Sequence, residues 1–115
     1  MIARFRTATK AAALLALSFP QLAAADTFTS ATVLEWPEAQ QNALFQTSIT
    51  MAGIVATRRD DTRHIARCVD DWYAEDVLTQ RQSEIRDAMT QHPQHHPQAI
   101  IVALIEKNCG FFSGS

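Results

Sequence analysis

The sequence predicts an all-α fold, a small bundle of about four helices stapled by one disulfide, and three observations carry that expectation. Ile65, Cys68, Val69, Trp72 and Tyr73 fall at i, i+3, i+4, i+7 and i+8, the spacing of a single helix face. Pro37 and Pro97 each open a helix-patterned run, at a position where a missing N–H is not needed. The chain's two cysteines, Cys68 and Cys109, lie on the second and fourth of these runs, and no segment shows the alternation of a half-buried strand.

The domain is expected to follow a leader. Arg4, Arg6 and Lys10 precede an apolar run from Ala11 to Leu17, then Pro20, then Ala23, Ala24 and Ala25 ahead of Asp26. That order of basic, apolar and small residues is that of a cleavable signal peptide over 1–25, with the domain at 26–115. A membrane-spanning helix needs roughly 20 apolar residues, and this run is under half that length. Lipid attachment at the cleavage point would need a cysteine where Asp26 stands. The expected location is periplasmic or secreted, with no membrane insertion after cleavage.

Removing the leader changes the charge. Its three charged residues are all basic, so seven basic residues remain against 12 acidic ones, and the net charge moves from -2 to about -5. Such a domain makes a poor ligand for nucleic acid or an anionic membrane. In an oxidising compartment the cysteine pair is expected to close, contributing roughly 4 kcal/mol on the chain-entropy model. No Cys-x-x-Cys spacing points to redox or metal chemistry instead.

Taken in order, residues 26–33 are rich in Ser and Thr and read as a loose lead-in. Trp36, Pro37 and Glu38 mark the first helix start: Pro37 at its first position, Glu38 at the positive end of the dipole, Trp36 packing back as a staple. To about Thr57 the apolar positions form two adjoining rows, 45, 49, 52, 56 and 44, 48, 51, 55, a face wide enough to be covered on more than one side. Gly53, among Ser48, Ala52 and Ala56, predicts a close helix crossing. Arg58 to Asp61 is a charged connector, and Asp61 or Thr62 can cap the second helix. A third helix covers roughly 76–91 with Leu78, Ile85, Ala88 and Met89 inward. The sequence leaves open whether it continues from the second helix or breaks near Ala74. The segment 92–97 cannot be helical throughout, because each proline pushes its predecessor out of the helical region. Pro97 then opens the last helix, with Ile100, Ile101, Leu104, Ile105 and Cys109 on one face, Gly110 as left-handed cap, and Phe111 or Phe112 beneath it.

Ligand chemistry concentrates in one place. His92, His95 and His96 form a His-x-x-His-His turn that can present imidazoles to Cu(II), Zn(II) or Ni(II), with His64 as a fourth ligand if the fold brings it near. No other cofactor is implied. Asp70, Asp71, Glu75 and Asp76 make an acidic patch without the alternating oxygens and glycine turn of a calcium loop. There is no Gly-x-Ser-x-Gly, phosphate loop or His-Glu-x-x-His, and three glycines leave little for a nucleotide cradle. The expected protein is therefore no enzyme. It is an interaction module, an inhibitor, immunity protein or chaperone, whose partner is another periplasmic or extracellular protein. The alternative is a small metal-binding protein using the turn at 92–96.

Gln40-Gln41 at the start of the first helix, Gly53 in its second half, Cys68 on the second, the His92-Pro93 turn and a last helix ending in Cys109 form a layout that resembles small periplasmic helical proteins of the Tai-type immunity family. The resemblance implies protection against cell-wall amidase effectors delivered by neighbouring bacteria. It assigns no functional residue. In size, helicity and disulfide the chain is also similar to two-cysteine acid-stress chaperones of the periplasm.

Overall fold

The computed structural model describes residues 28–113, and the expected leader over 1–25 lies outside them. Within them the chain forms five helices and no strand: α1 (Ser30–Leu34), α2 (Glu38–Ala56), α3 (Arg63–Trp72), α4 (Leu78–Gln91) and α5 (Pro97–Cys109). The last four are the helices the sequence predicts. Helix α5 is central and touches each of the other four. Its Ile100, Ile101 and Ile105 meet Phe45 and Ile49 of α2, Ile65 and Val69 of α3, Ile85 and Met89 of α4 and Val33 of α1 in one buried cluster.

Helix α1 corrects the expected lead-in. A five-residue helix cannot hold itself, so its stability has to come from contacts at its ends and one face. Ser30 N and Ala31 N donate to the carbonyls of His95 and Pro93 at 2.8 and 3.0 Å, and Ser30 Oγ donates to His95 O at 2.9 Å. The donors that a helix N-terminus leaves without intrahelical partners are thus satisfied by the turn between α4 and α5. Val33 is buried, and Phe28 stacks on Trp36 with ring centroids 5.9 Å apart. A local reading of Ser and Thr content misses this, because the partners lie more than sixty residues away.

Local chemistry decides three boundaries. Pro37 is the residue before α2 rather than its first residue, with its carbonyl accepting from Gln40 N and Gln41 N. Thr62 stands immediately before α3, but its hydroxyl makes no cap and donates backward to Ala56 O at 2.8 Å, tying the connector to the end of α2. Helices α3 and α4 are separate. Ala74 is extended, and the carbonyl of Trp72 accepts from Arg81 Nε at 2.7 Å instead of continuing the helical ladder. The Arg81 guanidinium also lies over the Trp72 ring, 5.5 Å from its centroid.

The disulfide joins α3 to α5, with Cα atoms 5.6 Å apart for Cys68 and Cys109. Gly110 ends α5 with φ +111° and ψ 168°. The positive φ is as expected, but ψ lies outside the left-handed helical well, in an extended region open essentially to glycine. Phe112 is half-buried against the core while Phe111 projects outward. The expected tight crossing at Gly53 is absent: a Cβ there would stand 4.0 Å from Val69 Cγ1, an ordinary contact. Trp72 and Tyr73 are buried as their spacing predicts, although Trp72 Nε1 and Tyr73 OH have no hydrogen-bond partner.

Candidate protein-binding face

The two rows of apolar residues on α2 take different fates. Phe45, Ile49 and Ala56 go inward and Ala52 packs against the core's edge. In the second row Leu44 packs against the core and Ser48 is half-buried, but the other half of the row is open. Met51 and Val55 are each more than half exposed, as is Ile54 beside them, and they stand within one arc of the helix. Val102 on α5 and Phe111 after it complete the set of large exposed apolar side chains among the described residues. The expectation of a face covered on more than one side therefore holds for the inner row and Leu44 but not for Met51 and Val55, since a bundle this small has no further helix to lay over them.

Between α2 and α5, Met51, Val55 and Val102 border a groove of about 370 Å³, lined also by Ser48, Ala52, Gln98, Ile101 and Phe112. Gln98 Nε2 donates to Ser48 Oγ at 3.2 Å, a polar bridge between otherwise apolar walls. No charge borders it from these helices: the chain carries none between Glu38 and Arg58, nor from Pro97 to Ile105. A second groove, about 330 Å³, lies on the other side of α2 against α3. Ile49, Gly53, Ile54, Val69, Asp70 and Tyr73 are among the residues that line it. Helix α2 is thus an uncharged ridge with a hollow on either flank.

The structure keeps His92 and His95 side by side and engages His96 and His64 elsewhere. His92 and His95 lie edge to face with ring centroids 5.2 Å apart. His96 turns away: its Nδ1 accepts from Gln98 N at 3.2 Å as the N-cap of α5, and its ring meets Phe28 edge-on at 5.3 Å. His64 stands at the far end of α5, its Nε2 3.6 Å from where a Cβ on Gly110 would be. Among the described residues no group of three or more His, Cys, Asp or Glu side chains is placed to hold a metal ion. The backbone of the turn accepts the N–H groups of α1, and that is the work the structure gives it.

The acidic residues Asp70, Asp71, Glu75 and Asp76 are all exposed at the end of α3 and the turn after it. Cys68 and Cys109 are the disulfide and carry no free thiol. Met51 and Val55 are the residues a periodicity reading misplaces. The signal that finds them is the absence of charge along nearly the whole outer side of α2, since a solvated helix face ordinarily carries Lys, Glu or Arg. Compared with family models, with curated proteins and with solved structures, the chain matches none.

Proposed function

We propose that this chain is an exported, non-enzymatic protein-interaction module that works through the α2–α5 face, of the inhibitor, immunity-protein or chaperone kind. The observation that carries the reading is the uncharged apolar surface of Met51, Val55 and Val102 around an open groove. Depletion of charge with retention of large apolar groups is the compositional mark of an interface core. Export is supported by the leader pattern and by a disulfide, a bond that persists in oxidising compartments. No helix among the described residues is long and apolar enough to cross a membrane.

The test is retention. Protein immobilised through its C-terminus is exposed to exported proteins of the source cell, beside a variant carrying Val55→Glu and Val102→Glu. Both substitutions are at exposed positions, and circular dichroism checks that the helices remain. A polypeptide, another protein or a further copy of the chain, held by the native surface and released by the variant supports the reading. Equal retention by both, or none by either, removes it.

A further inference from the structure

We infer that the occupant of the α2–α5 face is a second copy of this chain, giving a two-fold symmetric dimer in which the α2 ridges meet. This rests on the reading of that face as protein-binding and names its partner.

Charge is the first argument. The domain that follows the leader carries about -5, so two copies repel wherever their charged surfaces approach. The outer side of α2 and the first two-thirds of α5 are the long stretches of helix without charge, and a like-charged copy can dock there without setting carboxylates against one another. A partner of opposite charge would find nothing on this face to pair with.

Area is the second. Met51, Ile54, Val55 and Val102, at their exposures, leave on the order of 400 Å² of apolar surface along the ridge and the groove beside it. An interface of standard size covers about 800 Å² on each partner, with a little under two-thirds of it apolar. The patch supplies most of the apolar content that one side of a stable dimer needs, and Ala52 and Phe112 on the groove wall add to it.

Shape is the third. An isologous contact requires one face to hold both the projection and the recess that receives it. Here Met51, Val55 and Val102, all exposed, border a groove of about 370 Å³, so each copy offers the other both halves of the contact.

Analytical ultracentrifugation of the native protein, purified from the exported fraction and run from about 1 to about 500 µM, tests the inference. A reversible dimer is expected, tightened or unmoved by added salt because the contact itself is uncharged and only the repulsion is screened. Val55→Glu should weaken it by tenfold or more, since pairing across a two-fold axis buries the new carboxylate twice. Met51→Lys should do the same with a charge of opposite sign. A native chain that stays monomeric throughout the range overturns the inference. So does a dimer that dissociates in salt or withstands both substitutions. If the native chain is monomeric and Val55-dependent retention of another protein persists, the dimer falls and the protein-binding reading stands. If both are lost, both fall.

Discussion

Gln41 Oε1 accepts from Arg86 Nε at 2.7 Å, and the same amide's Nε2 donates to the carbonyls of Leu34 and Trp36 at 3.2 and 2.9 Å. One buried side chain on α2 therefore fastens the end of α1 to the middle of α4. The Arg86 guanidinium also reaches Asn42 Oδ1 and lies 5.4 Å from the centroid of the Phe45 ring. Gln41→Ala leaves two carbonyls and a guanidinium N–H short of a partner where water enters poorly. The expected loss is about 2 kcal/mol, read from the urea midpoint. Gln40→Ala, one residue away and exposed, should move it by less than about 0.5 kcal/mol.

Gly53 lies inside a 19-residue helix with room for a methyl group. Gly53→Ala should stabilise the fold by about 0.5–1 kcal/mol, through the helix's preference for Ala and a less mobile unfolded chain. In a domain of this size that raises Tm by several degrees, on the order of 4–8 °C per kcal/mol. A lowered Tm would show that α2 and α3 approach more closely than 4.0 Å at Val69 Cγ1 suggests.

Burial pushes the Tyr73 phenol above its usual pKa of about 10. The nearby Gln82 side chain and the Arg86 charge pull the other way, and neither prevails. The folded state thus holds the proton more tightly than the unfolded one. The associated stability is present below pH of about 10 and is lost as pH rises from there through the folded value. Urea unfolding between about pH 8 and 11 should show that decline, and Tyr73→Phe should flatten it. The hydroxyl has the Gln82 side chain near it but no hydrogen bond of good geometry, so Tyr73→Phe at neutral pH should stay within about 1 kcal/mol of the native stability.

The cysteine pair closes a loop with a sequence separation of 41. Replacing both residues by Ser, or reducing the native protein, should cost about 4 kcal/mol, a large share of the 5–15 kcal/mol typical of a domain. Native and Cys68→Ser/Cys109→Ser proteins compared in urea, with and without reductant, measure it. The reductant should act on the native chain alone.

The three histidines of the turn should separate in a stability assay. His96→Ala removes the N-cap of α5 and the edge contact with Phe28, at about 1 kcal/mol. His92→Ala and His95→Ala, at exposed side chains, should each stay within about 0.5 kcal/mol. Titration of the native protein with Cu(II) and Zn(II) against the triple Ala variant checks the ligand role the motif suggests. Equal affinity of the two proteins would leave the imidazoles with their structural work alone.

Periodicity made α2 to α5 legible because each helix buries a regular row, and the two prolines and Gly110 punctuated them. Ile65, Val69, Trp72, Ile85 and Met89 all sit inward where their spacing placed them. What was hidden depends on contacts between distant residues. Ser30 forms a helix because His95 offers it a carbonyl, and Trp72 ends one because Arg81 takes its carbonyl. The binding face was half legible. Spacing marked Met51 and Val55 as apolar, but only the number of helices available to cover them decides whether they are core or surface.

The bond from Ser30 to the carbonyl of His95 also has a bearing on time. A chain that emerges from its N-terminus delivers Ser30 early and His95 sixty-five residues later. Helix α1 therefore has nothing to dock on until the turn before α5 has appeared, and the disulfide cannot close until Cys109 follows. The central helix is the last of the described helices to emerge, so the core that gathers around Ile100, Ile101 and Ile105 cannot assemble before it does.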